Sequence, residues 1–563
     1  MKTQTNNQRR DIMKVVIIGG VAGGASAAAR LRRLDEEAQI VMFERGEYIS
    51  FANCGLPYYV SGVIPKRSSL LVQTPKAMKS RFKIDVRTMS EVVGIFPEAK
   101  EVEVKNLTSG ETYRESYDYV VLSPGAAPIT PDIPGVRLPN VFTIRNVPDS
   151  DMVKGYVDAQ LPASAVVVGA GFIGLEMAES LHTRGVEVHV VEAADQVMGP
   201  LDREMAAIVH QYMRKQGIKL HLNSQVVAIE GTDKAEGIRL ADGTSIPTQM
   251  VVLGIGVRPE TSLARQAGLA IGSTGGILVD EYLRTSDPFI YAAGDAIQVR
   301  DLVTGRDALV PMASPANRQG RMIADNICGR AVKYNGAQGT GIVKIIDLVC
   351  AVTGANAKIL KKMDIAFKSC IIHPFPHATY YPGGTQMTLK LLFTPDTGKV
   401  LGAQIVGYDG VDKRIDVVAT AIRAGMTVFD LQELELAYAP PFSSAKDPVN
   451  MAAYAAGNII NGDVEAVDWL DIPELKQKGG FLLDVRTASE VEKGPIDGAV
   501  NIPLDELRSR LDEIPQDTTV AVSCHVGLRS YIATRILSQH GKNVRNITGG
   551  YKLYQTLKAD KLL

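Results

Sequence analysis

The sequence predicts an α/β chain of four parts, because one pattern occurs twice and two different patterns follow it. A β-branched run, a glycine-rich turn, an apolar helix and a second β-branched run closed by an acid appear near residues 14–44 and again near 165–192. Strand, glycine turn, helix, strand and acid is the order of a dinucleotide-binding unit, so two Rossmann-like domains are expected. Length agrees, since 563 residues at roughly 150 per domain make three or four cores. The remaining third reads as an α+β domain followed by a C-terminal α/β domain.

The first unit has a strand at 14–18, then Gly19-Gly20-Val21-Ala22-Gly23-Gly24, a helix at 25–34 and a strand at 39–43. Val21 stands where the second glycine of the motif is expected. Glu44, 20 residues after Gly24, suits the ribose of FAD. Ser123-Pro124-Gly125 ends a strand at 119–122 and is expected to line the same groove. The second unit is complete: 165–168 leads into Gly169-Ala170-Gly171-Phe172-Ile173-Gly174, and a helix carries Leu175, Met177, Ala178 and Leu181. Gly169 permits the turn, Gly171 lets backbone approach a pyrophosphate, and Gly174 lets helix and strand pack closely. Glu192, 18 residues on, accepts a bond from a ribose 2′-hydroxyl and repels a 2′-phosphate, so NADH is expected over NADPH. The strand-like 289–293 and then Gly294-Asp295, before another helix, return the chain to the first domain. The expected boundaries are 13–150 with 276–330 for FAD and 151–275 for NADH.

From 341 to 450 the pattern alternates as strands do, with a helix bearing Val417, Val418, Ala421 and Ile422. A helix at 450–460 and a linker follow. Residues 470–563 are again α/β, with strands at 481–483 and 520–522. Hydrophobic residues are 45% and charged residues 22%, as in globular proteins generally. A net charge of −1 offers no whole-molecule field for nucleic acid or a membrane surface. The polar stretch 1–12 lacks the apolar core of a secretory signal and reads as a tail or an early start. Apolar runs are too short to span a bilayer, so a cytoplasmic protein is expected. The five cysteines, Cys54, Cys328, Cys350, Cys370 and Cys524, are odd in number and widely spaced. They form neither a disulfide framework nor a CxxC metal site, and no metal is expected.

Cys54 lies in Ser50-Phe51-Ala52-Asn53-Cys54-Gly55-Leu56-Pro57 with no second cysteine nearby. A dithiol oxidoreductase stores electrons in two sulfurs, so a lone cysteine takes its partner from a substrate or stabilises an oxidised sulfur by itself. With Lys413-Arg414-Ile415-Asp416-Val417 and Tyr438-Ala439-Pro440-Pro441-Phe442-Ser443-Ser444-Ala445-Lys446-Asp447, this string makes residues 13–450 resemble the two-dinucleotide disulfide reductases. Within them the chain is most similar to the single-cysteine branch of coenzyme A-disulfide reductases and NADH-dependent persulfide reductases. The resemblance implies a homodimer with FAD and NADH, and Cys54 against the flavin. It implies FAD contacts at Gly19, Ala22, Gly23, Glu44, Arg45, Asn53, Ser123, Pro124, Gly125, Gly294 and Asp295. NADH contacts fall at Gly169, Gly171, Phe172, Ile173, Gly174, Glu192 and Gly256. Coenzyme A, as substrate or Cys54 adduct, is assigned to Ser26, Arg30, Arg33, Ser50, Asn53, Arg81 and Lys446. Arg30 and Arg33, three residues apart, are expected on one helix face. Asn317 departs from the histidine of the staphylococcal-type enzyme, which puts the adenine contacts in doubt. Tyr380, Tyr381 and Tyr438 resemble tyrosines that reach the partner subunit's active site.

The loop Cys524-His525-Val526-Gly527-Leu528-Arg529-Ser530 follows a strand and precedes a helix, so its N–H groups are expected to face the sulfur, lower the thiol pKa and hold an anionic persulfide. Arg529 adds positive charge. With Leu483-Asp484-Val485-Arg486 and Gly498-Ala499-Val500-Asn501-Ile502-Pro503 upstream, the region resembles a rhodanese domain, which carries sulfur as a cysteine persulfide. The activity implied is NADH-driven, FAD-dependent reduction of sulfur–sulfur bonds in coenzyme A persulfide, polysulfide or coenzyme A disulfide, with sulfur-carrier proteins as further partners. One alternative is an NADH oxidase or peroxidase cycling Cys54 through sulfenic acid, whose relatives carry a histidine where Ala22 stands. Another is a non-catalytic sulfide sensor or sulfur-carrier scaffold.

Overall fold

The computed structural model describes residues 12–563; the rest of the polar N-terminal stretch lies outside the described residues. The first sheet is wholly parallel, in the order Ile290–Ala292, Tyr119–Leu122, Lys14–Ile18, Gln39–Phe43 and Asp85–Arg87. Its three inner strands are runs of Val, Ile and Leu buried on both faces, as a covered parallel sheet requires. The neighbour of Tyr119–Leu122 comes from residue 290, so the chain leaves this sheet and returns to it. Helix Ala22–Leu34 begins three residues earlier than expected and crosses helix Ala313–Ile327 at close range. A Cβ at Gly320 would lie 2.1 Å from the Gly23 carbonyl oxygen, which is why the crossing needs glycine. Gly294–Ala296 is a single 3-10 turn, and the next helix starts only at Ala313, not directly after Asp295 as expected.

The second sheet, also parallel, runs Lys219–His221, Glu187–Val191, Ser164–Val168, Val251–Leu253 and Val141–Phe142. The short strand Val141–Phe142 and helix Val147–Gln160 therefore belong to the second domain, and a boundary at 150 would cut that helix. The two passages between domains pair with each other, Ala126–Pro128 antiparallel to Val257–Pro259. Ala264 and Leu269 are already in the first core, so the return comes before 276.

The third domain is a five-stranded antiparallel sheet ordered Gly341–Ile345, Leu348–Gly354, Val400–Gly407, Thr388–Phe393 and Lys368–Ile372. Helix Pro448–Ile460 buries Val449, Ala452, Ala453, Ala456 and Ile459 in the core of this domain, which thus extends past 450. Arg414, 1% exposed, joins Asp447 at 2.8 Å, and Ser443 donates to the same carboxylate at 2.7 Å. Two of the sequence strings that carry the resemblance are thus locked together by one buried ion pair. The fourth domain is parallel, in the order Glu465–Val467, Val544–Ile547, Val520–Ser523, Phe481–Asp484 and Val500–Asn501, and it starts before 470. Its core takes in Ile371 of the third domain and Ala207 of the second. Among the described residues no helix is long and apolar enough to cross a membrane.

Candidate functional site

Both glycine turns are built alike. Gly19 has φ +98° and Gly169 φ +99°, the left-handed region that glycine enters without strain. A Cβ would lie 2.1 Å from Ser123 O in the first case and 2.4 Å from Gly254 O in the second. The strand-end acids repeat too. Glu44 accepts from the Gly20 and Gly46 N–H groups at 2.9 and 2.8 Å, and Glu192 from Ala170 and Ala194 at 2.7 and 2.9 Å. Helices Ala22–Leu34 and Phe172–Thr183 start without a side-chain cap, whereas Val147–Gln160 and Pro448–Ile460 carry capping boxes. Uncapped helix N–H groups suit a phosphate.

A cavity of about 580 Å³ opens over the first turn. Gly19, Ala22, Gly23, Glu44, Arg45, Asn53, Ser123, Pro124, Gly125, Gly294 and Asp295 all line it, so the structure gathers the whole expected set. At one wall Arg45 and Arg145 meet Glu260 at 2.6 and 2.7 Å, a trio sequence reading missed because its members lie far apart in the chain. Burial pushes the Asp295 carboxyl up, with Arg145 opposing. At the second turn Gly171 faces open space, room for a group that approaches the backbone, while Gly174 would meet Gly169 O at 2.0 Å if it bore a Cβ. Phe172 packs beneath Gly341, Ile173 is partly exposed, and Gly256 has φ +118° beside Ile129.

Cys54 sits in the 3-10 turn Asn53–Gly55, directly before helix Leu56–Ser61, and is the exposed one of the five cysteines. Ser50, four residues earlier, has φ +44°, a strained value for a residue with a side chain. Helix Leu56–Ser61 packs on helix Phe172–Thr183, and Ser180 donates to the Pro57 carbonyl at 2.8 Å. One turn nearer the glycine loop, this second-domain helix carries Glu176, whose charge acts on Cys54 and Tyr58. Burial, with repulsion from Glu179, pushes the Glu176 carboxyl up to about 7. The Cys54 residue is open on one side, yet protein surrounds enough of the sulfur that burial pushes its thiol up. Glu176 and Asp295 push it further. The sequence signal for Glu176 was slight, an acid within an otherwise apolar helix run.

In the fourth domain Cys524 is buried, and its sulfur accepts the Gly527 N–H at 3.1 Å. The Cys524 and His525 carbonyls are held from outside by the N–H groups of Tyr551 and Lys552 at 2.7 and 3.0 Å. Arg529 does not simply add charge beside the sulfur. Both its Nη atoms bind Glu490 at 2.7 Å, and that pairing pulls the Glu490 carboxyl down to about 2.

Residues 13–320 match the family model described as pyridine nucleotide-disulphide oxidoreductase, 341–448 its dimerisation domain, and 467–557 a rhodanese-like domain. The chain belongs to the pyridine nucleotide-disulphide oxidoreductase family. A coenzyme A disulfide reductase of Staphylococcus haemolyticus is 34% identical over 447 residues, 79% of this chain and 100% of the relative. The solved structure of reduced Bacillus anthracis CoADR-RHD is 53% identical with TM-score 0.96, covering 98% of this chain and 99% of that one. A NAD-dependent persulfide reductase from A. fulgidus is 39% identical with TM-score 0.90, covering 96% and 100%.

In this oxidoreductase the expected coenzyme A residues do not all converge. Arg30 directs Nε and Nη2 to Asp325 Oδ1 at 3.1 and 2.7 Å and is half-buried, whereas Arg33 on the same helix is exposed. Ser26 donates to Asn317 at 2.6 Å, while Arg81 and Lys446 are exposed cations. Tyr380, Tyr381 and Tyr438 are exposed on the dimerisation domain, with Tyr380 and Tyr438 hydroxyls 2.8 Å apart. Phe442, 71% exposed, extends this aromatic group and was not anticipated as a site residue.

Proposed function

We propose that the protein is an NADH-driven reductase of sulfur–sulfur bonds that works through Cys54, with its rhodanese domain handling sulfane sulfur at Cys524. The observation that carries this is the place of the one exposed cysteine: next to Asn53 in the wall of the first dinucleotide cavity, and before a helix that packs on the helix of the second turn, where the Glu176 charge reaches it. FAD fits the first cavity and NADH the second turn, by the glycine approaches, the uncapped helices and the strand-end acids; together they supply the electron pair when bound. Coenzyme A persulfide, polysulfide and coenzyme A disulfide are the proposed acceptors, with Ser26, Ser50, Asn53, Arg33, Arg81 and Lys446 as contacts. A homodimer brings Tyr380, Tyr381 and Tyr438 to the partner's site.

For a persulfide the balance is RSSH + NADH + H⁺ → RSH + H₂S + NAD⁺. Cys54 Sγ attacks the outer sulfur, the S–S bond breaks, and the departing RS⁻ takes a proton. The electron pair then releases sulfide and restores the Cys54 thiolate. Glu176, which burial keeps partly protonated near neutral pH, is the acid whose charge Cys54 feels and which can hold the proton for the leaving sulfur. The buried loop around Cys524 aims an N–H at its sulfur and suits an anionic persulfide. Carrying both sites on one chain raises the local concentration of that sulfur.

Anaerobic stopped-flow oxidation of NADH against coenzyme A persulfide, glutathione persulfide, polysulfide and coenzyme A disulfide tests the reading. Cys54→Ser is expected to lose all four activities, and Cys524→Ser only those with bulky or protein-borne donors. Undiminished persulfide reduction by Cys54→Ser would refute it.

A further inference from the structure

Among the contacts of the rhodanese domain with the second dinucleotide domain runs a buried relay. Asp560 closes helix Gly550–Ala559, the last of the chain. An aspartate at a helix C-terminus meets the negative end of the helix dipole, so the helix itself gives no reason for it. Its reason lies across the interface. One carboxylate oxygen faces His210 Nδ1 at 2.8 Å and the other takes Arg214 at 2.5 Å. His210 is fully buried, and its Nε2 is 3.0 Å from the N–H of Val197. Because Val197 can only donate, Nε2 is the acceptor and the ring proton sits on Nδ1, pointing at Asp560.

Val197 begins a short buried segment that holds the NADH-type turn from behind. The next residue, Met198, has φ +49°, a value disfavoured for any side chain larger than glycine's. Its N–H donates to the carbonyl of Ala170, between Gly169 and Gly171, at 2.9 Å. Val197, Met198 and Leu201 are 0% exposed, and Gln196 ties the segment to the Leu201 carbonyl at 2.9 Å. The chain of contacts is continuous: Asp560, His210, Val197, Met198, Ala170.

We propose that Asp560 is a positioning residue for the pyrophosphate turn at 169–174, so that docking of the rhodanese domain sets the affinity of the oxidoreductase for NADH. The inference rests on the reading of that turn as the NADH site. Without the carboxylate, the Nδ1 proton is buried with no acceptor. The ring then moves its proton to Nε2, where it opposes the Val197 N–H and frees the strained Met198.

The test is steady-state kinetics of the full-length holoenzyme with coenzyme A disulfide as acceptor. Asp560→Ala is expected to raise KM for NADH by about five- to tenfold, the worth of one buried hydrogen bond. kcat at saturating NADH and KM for the acceptor should stay as in wild type. Asp560→Asn, whose amide oxygen still accepts from Nδ1, should restore most of the affinity. Retained thiosulfate-to-cyanide sulfurtransferase activity shows that the rhodanese domain is folded. An unchanged KM for NADH in folded Asp560→Ala overturns the inference, as does a fall confined to kcat. Wild type that shows no saturable use of NADH would instead overturn the functional reading beneath it. If Asp560→Ala does not accumulate, hydrogen exchange of the Val197 and Met198 amides in wild type decides. Protection that rises on adding NADH supports the relay, and exchange as fast as an open loop's overturns it.

Discussion

Replacing Glu176 by glutamine is expected to stabilise the protein while slowing it. A carboxyl of ordinary pKa 4.5 that is pushed up to about 7 by burial binds its proton more tightly in the folded state than in the unfolded one. Below pH 4.5 both states are protonated and the burial does no harm. As pH rises from 4.5 to 7 the unfolded chain ionises and the folded one does not, so stability is lost across that window and stays lost above it. A rise from 4.5 to about 7 corresponds to about 3 to 4 kcal/mol at most. Glutamine keeps the shape and cannot ionise, so Glu176→Gln should unfold at a higher temperature than wild type at pH 8 and at the same temperature at pH 4.5. Thermal unfolding of both proteins across that range, followed by flavin fluorescence, measures the difference. Persulfide reduction, measured in parallel, should fall by about a hundredfold or more, the usual scale for loss of a positioned acid, and its pH profile should lose the limb near 7. A gain in stability that is the same at pH 4.5 and pH 8 would refute the burial argument. Unchanged turnover would remove Glu176 from the chemistry.

Three further outcomes are expected. Gly19→Ala places a Cβ 2.1 Å from Ser123 O on a left-handed backbone, so flavin absorbance per chain should drop by about tenfold or more, and full flavin content would count against the cavity. Glu192→Ala removes the carboxylate that would repel a 2′-phosphate, and the NADPH to NADH ratio of kcat/KM should rise by about tenfold; a fixed ratio would assign specificity elsewhere. Glu490→Gln deprives Arg529 of its ionised partner, and sulfurtransferase turnover should fall by about tenfold with NADH-to-acceptor kinetics intact. Since Arg529 holds the Glu490 carboxyl near 2, the stability this pair lends is present above about pH 4.5. It is lost only as pH falls toward 2, so wild-type sulfurtransferase activity should show no step from this pair between pH 5 and 8.

What the sequence made legible is local. Gly19, Gly169 and the acids Glu44 and Glu192 could be read in place because turn, helix start and strand end lie within about thirty residues, and backbone sterics decide each. What stayed hidden depends on long separations. Arg30 meets Asp325 from 295 residues away and His210 meets Asp560 from 350, and no periodicity announces either pair. Helix Val147–Gln160 looked like the end of the first domain because sequence order ignores which sheet a two-residue strand joins. Glu176 was passed over because an acid on an apolar helix reads as its solvent face, whereas here that face meets another helix.

Cys54 also departs from the usual account of a reactive thiol. Such sulfurs sit in electropositive surroundings that favour the thiolate. Here burial and two carboxyls, Glu176 and Asp295, work against it. That arrangement suits a sulfur whose negative charge is to arrive with an electron pair and leave with a product. A resting thiol that is neutral does not react with stray electrophiles, and a thiolate formed on reduction sits beside an acid titrating near neutral pH. An ionised Glu176 raises the cost of taking the proton from the thiol, so the pH at which Cys54 becomes a thiolate depends on that carboxyl. Alkylation of Cys54 by iodoacetamide should therefore begin at lower pH in Glu176→Gln than in wild type. If alkylation follows the same pH curve in both, Glu176 does not act on this sulfur, and the proton for the departing thiolate must come from another group.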